Sequence, residues 1–484
     1  MSGATSRQGE LRLLSRSARR KARSGRLLAQ VMAVAIGPAL AGQATLSVPD
    51  GFTVQRVAAP PHIRFPMFGA LDDRGRLYIT ESGGGDLYEE LRQQRKTCRV
   101  SVLEDRDGDG VYEHVQVYAE PFVPSMGIAW RDGKLYVADP PDLVTLEDLD
   151  GDGRADRRKV ILTGFGHTDN GSLHGLEFGP DGWLYLTVGW PDGYRVQRGD
   201  GSWLAGETGG LLRCRADGSE AEVLARGFDQ LVELVFLPSG ELLGSQTWYQ
   251  NPSGGIRDSL THLVPGGLYP QRWMDETPQP FASSSEALPA VLLLPAVAHS
   301  GILLYGGTMF PSEWHGQIFS AQFNTRKVVR HPLTRHGATF QAESHDFLTT
   351  ADPDFRPADV LEDADGSLLV VATGSWYVQH CPTGRLRQNA APGAIYRVRR
   401  TGASSLPDAR GLALNWAEAS TDELARRLSD KRPAVRQRAI EVLVKRGQVV
   451  VGAMATVARD TVVPQAAAVA AVWVLARVGG GEAL

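Results

Sequence analysis

Cysteine is scarce in this chain of 484 residues, which contains only Cys98, Cys214 and Cys381. Because the three are far apart and odd in number, the sequence favours neither a disulfide framework nor a zinc cluster. No Cys-x-x-Cys-His motif occurs, so this chain attaches no c-type haem. Any redox chemistry therefore needs a different electron carrier.

Positive charge is concentrated at the start of the chain, and acidic side chains outnumber basic ones in the rest. Residues 1–26 hold eight basic residues and a single acid, Glu10. Without residues 1–41, the chain carries 43 basic and 54 acidic side chains, a net charge of about −11. Such an excess of negative charge repels polyanions, so we expect no nucleic-acid partner.

Long hydrophobic runs are also lacking. The apolar run at residues 27–36 is too short to cross a bilayer as a stable anchor. It follows the basic stretch and precedes a small-residue site at 39–41, a pattern typical of a secretory signal peptide over residues 1–41. The alternative is a basic disordered tail on a cytosolic protein. We expect export to the periplasm or the extracellular space, with no membrane span after cleavage.

Glycine, by contrast, is abundant, with 54 residues, and it marks the turns of six similar hairpins. Each hairpin has two apolar strands around a tight turn. The copies cover residues 68–80, 126–138, 174–187, 232–245, 300–321 and 358–371. Their turn glycines recur about every 58 residues. Since a lone hairpin cannot bury its apolar face, the pattern predicts an all-β six-bladed β-propeller over residues 45–400.

Further hairpins between these copies predict the outer strands of the blades. They lie at residues 98–120, 142–165, 211–228 and 326–340. Inner and outer pairs together give four strands per blade. The strands at 51–59 and 393–400 have no hairpin partner, so we expect them to pair with each other, which would close the ring and remove two exposed edges.

The composition changes after Arg400, where residues 401–419 resemble a linker. Residues 420–484 show a Ser/Thr cap, apolar residues at 3–4 spacing, and Pro433 placed to open a second helix. This predicts a small all-α segment of HEAT/armadillo-like repeats. Because solenoids need about three repeats to be stable, two repeats predict a truncated array or a helix pair that docks on the propeller.

Two outer hairpins carry Asp-rich loops. Their carboxylates occupy loop positions 1, 3, 5 and 9, namely Asp105, Asp107, Asp109 and Glu113, and Asp148, Asp150, Asp152 and Asp156. This spacing converges oxygen ligands on a Ca²⁺-sized ion, although strands flank the loops and position 12 lacks the glutamate of an EF-hand. The alternative is a solvated Asp-Gly turn. If calcium binds here, we expect it to join two outer hairpins.

The residues that begin the six inner strands form a column at the predicted channel. They are Gly69, Gly127, Gly175, Glu233, Gly301 and Asp359. Crowding at the axis explains the glycines, and the two acids suit a bound cation or acid–base chemistry. The alternative is that each acid caps backbone N–H groups of a neighbouring blade. We expect Glu233, Asp359, His174 and His299 to converge on one mouth of the channel.

Other polar and aromatic residues are placed to reach the same mouth. Asn324 and Arg326 follow an inner hairpin, and Trp190, Trp248 and Trp376 leave inner strands. Aromatic walls with polar tips suit a carbohydrate-like or quinone-like ligand. The alternative for each aromatic residue is packing between blades.

Three segments carry a family resemblance: GLEFGPDGWLYLTVGWPDGYR, DVLEDADGSLLVVATGSWY, and GAIYRV followed by the HEAT-like helices. They resemble the propeller–HEAT–cytochrome proteins described as membrane-bound dehydrogenases, here without the cytochrome domain. More distantly, the propeller is similar to the soluble glucose and sorbosone dehydrogenases, which bind pyrroloquinoline quinone and Ca²⁺. The resemblance implies oxidation of a sugar or alcohol outside the cytoplasm. For such a reaction we expect His174 to be the base and Glu233 and Asp359 to organise the cation or substrate.

The chain departs from the quinoprotein pattern at two places. The position of the family's catalytic histidine is Gly171, and its Arg-Asn pair falls on Asp229 and Gln230. Without a haem domain, electrons would pass to an external acceptor, or to a protein partner bound through the helices. Two further hypotheses are a Ca²⁺-dependent lactonase-type hydrolase with a channel cation, and a non-catalytic binding or scaffold propeller.

Overall fold

The structure is a computed structural model that describes residues 45–168, 172–189, 193–247, 249, 257–269, 288–376, 379–380, 384–385, 390–404 and 406–479. These residues form six blades of four antiparallel strands each, which confirms the predicted six-bladed propeller. The predicted signal peptide, residues 1–41, lies outside the described residues. Within the described part, no helix combines the length and hydrophobicity that crossing a bilayer requires.

Blades 1 to 3 follow one another along the chain, and the first strand of each is innermost. Blade 1 comprises Pro66–Leu71, Leu77–Glu81, Cys98–Glu104 and His114–Phe122. Blade 2 comprises Ile128–Arg131, Lys134–Asp139, Asp142–Glu147 and Arg157–Thr163. Blade 3 comprises Leu176–Phe178, Leu184–Val188, Gly209–Cys214 and Glu222–Phe228.

Blades 4 to 6 complete the ring. Blade 4 comprises Gln230–Phe236, Leu242–Thr247, Asp258–Leu263 and Leu292–Leu294. Blade 5 comprises His299–Leu304, Ile318–Gln322, Lys327–His331 and His345–Thr350, extended by Leu46–Ser47. Blade 6 comprises Pro357–Glu362, Leu368–Ser375, Ala391–Arg400 and Phe52–Ala58.

Short elements lie outside the blades. They are helix α1, Leu87–Arg92, and the paired strands Tyr194–Gln197 with Trp203–Gly206, Leu333–His336 with Thr339–Ala342, and Gln379–His380 with Gly384–Arg385. The prediction of an outer hairpin at 326–340 is therefore wrong in its second half. The fourth strand of blade 5 is His345–Thr350, because it supplies the buried Phe347 and Leu348, whereas Leu333–His336 has no buried residue.

The earliest full strand closes the ring. Phe52–Ala58 pairs with Ala391–Arg400 in blade 6, which confirms the predicted closure. The ring of Phe52 lies 5.0 Å from that of Phe310, 5.2 Å from that of Trp314 and 5.5 Å from that of Phe347. This aromatic contact anchors the closing strand, since such pairs add to the free energy of burial.

Four helices follow the propeller: α2, Thr421–Arg427; α3, Pro433–Arg446; α4, Val451–Arg459; and α5, Gln465–Gly479. Ser420 and Glu423 form a capping box at the start of α2, and Pro433 opens α3, as predicted. Gly447 ends α3 with φ 67°. The kinship with HEAT repeats stays a prediction.

The helices dock on the face of the propeller that carries the inner hairpin turns. Glu441 of α3 accepts hydrogen bonds from Arg131 of blade 2 at 3.0 Å and from Arg477 of α5 at 2.6 Å. Lys445 pairs with Asp132 at 2.7 Å. The predicted docking of the helices on the propeller is therefore present, and truncation of the repeat array stays a prediction.

Candidate functional site

The column of strand starts crowds the axis as predicted. A Cβ atom on Gly175 would lie 2.6 Å from the carbonyl oxygen of Val232, and one on Gly301 would lie 2.5 Å from a carboxylate oxygen of Asp359. Only glycine permits so close an approach of neighbouring inner strands. The column therefore forms a constriction of the channel.

Two cavities lie on opposite sides of this constriction and share no lining residue. The imidazole cavity has a volume of ≈ 40 Å³. It is lined by Met67, Phe68, Met126, His174, Gln230, Val232, Thr247, Ala298, His299, Ser300, Phe323, Ala358, Thr373 and Trp376. The carboxylate cavity has a volume of ≈ 570 Å³ and contains Glu177, Glu233, Asp359 and Glu362 in its wall, with Gln437 of α3.

The expectation that two histidines and two acids share one mouth is therefore wrong. His174 and His299 line the imidazole cavity, whereas Glu233 and Asp359 line the carboxylate cavity. The reason is the crowded column itself. Residues that precede the column in the sequence face one side of the constriction, and residues in the column or after it face the other side.

The two predicted acids hold neighbouring blades together. The Oδ2 atom of Asp359 accepts a hydrogen bond from the Gly69 backbone N–H at 2.9 Å, joining blade 6 to blade 1. The Oε2 atom of Glu233 accepts one from the Ile302 N–H at 3.1 Å, joining blade 4 to blade 5. The alternative interpretation, that each acid caps the backbone of a neighbouring blade, is thus confirmed for both.

These acids are also poised to hold protons. Burial raises the pKa of Glu233 well above its usual value, and the negative charge of Asp359 raises it further. Burial likewise raises the pKa of Asp359. Glu177 is exposed to the channel yet enclosed by the ring of blades, and this desolvation, with the charge of Asp359, raises the pKa of Glu177 to about 7.

Neither Glu177 nor Glu362 was predicted from the sequence as a channel residue. Burial raises the pKa of Glu362 to about 7, while its carboxylate accepts a hydrogen bond from the Gly306 N–H at 2.7 Å. One signal was available for Glu177. It is two positions after Gly175, and the equivalent positions of the other inner strands all hold apolar residues.

His299 is the most enclosed group in the imidazole cavity, with 0% of its surface exposed. Its Nδ1 atom lies 2.8 Å from the carbonyl oxygen of Ser259. Its Nε2 atom has no hydrogen-bond partner among the described residues. Burial lowers the pKa of His299, so the imidazole is neutral.

The other lining groups present mainly apolar surface. His174 is buried and packs edge-on against Phe68, with ring centroids 4.9 Å apart. Trp376 is buried, and its indole N–H donates to the Thr373 hydroxyl at 2.8 Å. Apolar walls with a few fixed polar groups are the usual composition of a small-molecule site.

The remaining predicted ligand-binding residues do not line this cavity. The Asn324 side chain donates to the Ala296 carbonyl at 3.3 Å, and Arg326 occupies a turn position with φ 58°. Neither of them contributes to the described wall of the imidazole cavity. Trp190 and Trp248 lie outside the described residues.

Both Asp-rich loops gather carboxylates at the outer edge of blades 1 and 2. Ligand atoms of Asp105, Asp107 and Asp109 lie within 4.8 Å of one another, as do those of Asp148, Asp150 and Asp156. The other two predicted ligands, Glu113 and Asp152, lie outside these groups, and carboxylates of both loops accept hydrogen bonds from backbone N–H groups. Glu113 accepts from the Arg106 N–H at 2.7 Å, and Asp152 accepts from the Arg154 N–H at 2.7 Å.

Solved structures share the fold at low sequence identity. An oxidoreductase (glucose dehydrogenase) from Thermus thermophilus is 19% identical with a TM-score of 0.51, covering 72% of this chain and 100% of that chain. The pyranose dehydrogenase PQQ domain from Coprinopsis cinerea is 15% identical with a TM-score of 0.50, covering 74% and 98%. A carbohydrate-active enzyme of family AA12 from Trichoderma reesei is 13% identical with a TM-score of 0.51, covering 74% and 99%.

Sequence comparison identifies the family. No curated protein sequence matches the chain. The resemblance to the propeller–HEAT–cytochrome proteins stays a prediction. One family model, described as a domain of unknown function (DUF7133), matches residues 41–402, which include the whole propeller. The chain therefore belongs to the DUF7133 family.

Proposed function

We propose that this chain is an oxidoreductase-type propeller that oxidises a neutral sugar- or alcohol-type molecule at the imidazole cavity. The observation that carries the proposal is the pair of buried histidines, His174 and His299, at the axis of a fold shared with a glucose dehydrogenase and a pyranose dehydrogenase domain. The apolar wall around them would exclude water from a bound substrate.

The cavity suits the first half of an alcohol oxidation. Converting CH–OH to C=O removes a proton from oxygen and a hydride from carbon. A neutral imidazole can accept the proton, a task for which we propose His174 or His299. A volume of ≈ 40 Å³ admits the hydroxyl end of a substrate, since about 10–15 Å³ holds one water molecule. The hydride would pass to an external acceptor of quinone or dye type.

Pyrroloquinoline quinone does not fit the described wall. This cofactor carries three carboxylates, which need cationic partners. Among the described residues, no Lys or Arg lines the imidazole cavity. We therefore assign the cofactor no step in the proposed reaction.

A dye-linked assay tests the proposal. The full chain is incubated with D-glucose, L-sorbosone or glycerol and with phenazine methosulfate and dichlorophenolindophenol, with and without pyrroloquinoline quinone and Ca²⁺. We expect substrate-dependent dye reduction that falls by about two orders of magnitude or more when the histidine acting as general base is replaced, in His174→Ala or His299→Ala. His336→Asn, at an exposed histidine, is the matched control. Absence of dye reduction with every substrate and cofactor would refute oxidation.

The channel carboxylates favour a second candidate, a Ca²⁺-dependent lactonase-type hydrolase. A carboxyl group such as Glu177, whose pKa is raised to about 7, can act as acid or base near neutral pH. Proton release from D-glucono-1,5-lactone, followed at constant pH with and without Ca²⁺, tests this reaction, and Glu177→Gln should abolish it. A chain inactive in both assays would be a binding propeller.

We also propose export and calcium binding. The basic and apolar pattern of residues 1–41 supports the signal peptide, and sequencing the N-terminus of the mature protein tests its removal. The clustered oxygens of Asp105, Asp107 and Asp109, and of Asp148, Asp150 and Asp156, support two structural Ca²⁺ sites far from the imidazole cavity along each blade.

A further inference from the structure

We propose that His299 selects the substrate class of the imidazole cavity, because it is a fixed hydrogen-bond acceptor. A ligand must then offer a hydroxyl group to its Nε2 atom, and ligands offering only acceptors, such as ketones or carboxylates, are disfavoured. The inference rests on the proposed function for the location of the site, but it does not depend on oxidation.

The tautomer of His299 follows from its neighbour. Nδ1 lies 2.8 Å from the carbonyl oxygen of Ser259, and a carbonyl oxygen can only accept a hydrogen bond. Nδ1 must therefore carry the hydrogen. In a neutral imidazole this leaves Nε2 with a lone pair and no hydrogen.

The surroundings of His299 keep it neutral. Full burial lowers the pKa of His299. Asp258 favours the charged form, but its carboxylate is already bound by Arg257 at 2.6 and 2.8 Å. The ring of His331 is centred 6.1 Å away, and burial lowers the pKa of His331 to about 3. No neighbouring group among the described residues therefore supplies a charge that would protonate His299 near neutral pH.

The backbone beside His299 is held in a strained conformation. Ala298 has φ 51°, which is rare for a residue with a side chain. Asp258 accepts from the Ala298 N–H at 2.7 Å, and the Phe323 N–H donates to the Ala298 carbonyl at 3.2 Å. Strain that persists at a cavity wall is typical of positions where the geometry serves a ligand.

Two other polar groups of the wall bond within the protein. The Ser300 hydroxyl donates to the Ala358 carbonyl at 2.7 Å, and the Trp376 indole donates to Thr373. The buried Nε2 of His299 is left to the ligand. A buried acceptor without a partner is destabilising, so a ligand donor that reaches it gains affinity.

Two substitutions separate the two ring nitrogens. In His299→Asn, the side-chain amide can still donate to Ser259, but no atom occupies the Nε2 position. In His299→Gln, the amide oxygen can reach the Nε2 position, while the bond to Ser259 is lost. Thermal melting of the full chain establishes that each variant is folded. Should His299→Asn fail to fold, the measurement on the unmodified chain below still decides the proposal.

The probes are cyclohexanol and its matched ketone, cyclohexanone, with D-glucose as a sugar. In the full chain labelled with ¹⁵N-histidine, we expect Nε2 of His299 to be unprotonated from pH 5 to pH 8. Cyclohexanol and glucose should shift its resonance, and cyclohexanone at the same concentration should not. His299→Asn should bind cyclohexanol about tenfold more weakly by calorimetry, whereas His299→Gln should stay within about threefold, because only the former loses the acceptor.

Three results would overturn the proposal: a protonated or titrating Nε2, a resonance that follows cyclohexanone as strongly as cyclohexanol, or unchanged alcohol binding in His299→Asn. Each readout is independent of turnover. A chain that fails the dye-linked assay but shows the alcohol-specific shift would refute the proposed oxidation and support the acceptor role of His299.

Discussion

The carboxylate of Asp359 accepts a hydrogen bond from the backbone N–H of Gly69 at 2.9 Å, and this bond joins the last blade to the first. The same carboxylate also accepts from the Val360 N–H at 2.7 Å. Asp359, which the sequence predicted as a site residue of the channel, thus stabilises the seam of the ring, the contact between the last and the first blade.

Replacing Asp359 with alanine should destabilise the propeller. Both backbone donors would be left buried without partners, each costing about 1–3 kcal/mol. We expect urea unfolding to show a free energy of unfolding lowered by about 2–6 kcal/mol in total, with an unchanged denaturant slope. Asp359→Asn keeps one acceptor oxygen and is the matched control. Equal stability of Asp359→Ala and the unmodified chain would contradict the seam role.

Glu177 should make the fold less stable as the pH rises. Because its pKa of about 7 in the folded chain exceeds that in the unfolded chain, the folded state binds the proton more tightly between these values. The stabilising protonated form is complete at low pH and is lost as the pH rises through about 7. We expect the melting temperature to fall more from pH 5 to 7.5 in the unmodified chain than in Glu177→Gln. Parallel pH profiles would contradict this assignment.

Calcium should stabilise the outer hairpins of blades 1 and 2. The clustered carboxylates of Asp105, Asp107 and Asp109 repel one another, and an ion that binds only the folded state raises its stability. We expect millimolar Ca²⁺ to raise the melting temperature and EDTA to reverse it. The effect should shrink in Asp107→Asn and persist in Asp346→Asn, a control at an exposed acid. Identical melting curves with Ca²⁺ and EDTA would show that these loops are Asp-Gly turns that bind no calcium.

Glu441 should control the docking of the helices. It is held between Arg131 and Arg477, and its loss would leave the largely buried side chain of Arg477 without its carboxylate partner and Arg131 with only Asp132, at 3.6 Å. We expect Glu441→Ala to accelerate proteolysis within residues 401–419 and to lower the melting temperature. Glu89→Gln, at an exposed pair with Arg92, should change neither. Unaltered proteolysis would mean that apolar contacts alone hold the helices.

The fold was largely predictable because each inner hairpin repeats the same turn glycine and strand pattern. Gly75 and Gly366, for example, adopt φ 96° and 85°, as their turns require. The outer edge of blade 5 was not predictable in the same way. Both Leu333–His336 and His345–Thr350 have strand-like sequences, and the latter takes this position because its Phe347 is buried.

The site was predicted in its members but not in its arrangement. Alignment of the inner strands placed Glu233, Asp359, His174 and His299 near the axis. The alignment could not show which side of the constriction each side chain faces, because positions only one residue apart along a strand lie on different sides. The hydrogen bond from His299 to Ser259 links residues 40 positions apart, and no local pattern encodes it.

The strand pair that closes blade 6 also determines when the propeller can be completed during synthesis. Phe52–Ala58 leaves the ribosome early, but its partner Ala391–Arg400 is made last of all the propeller strands. At about 5–20 residues per second, the early strand waits roughly twenty to seventy seconds for that partner. Throughout this interval the backbone N–H and C=O groups along the edge of the first strand lack their native partners and are open to wrong pairing.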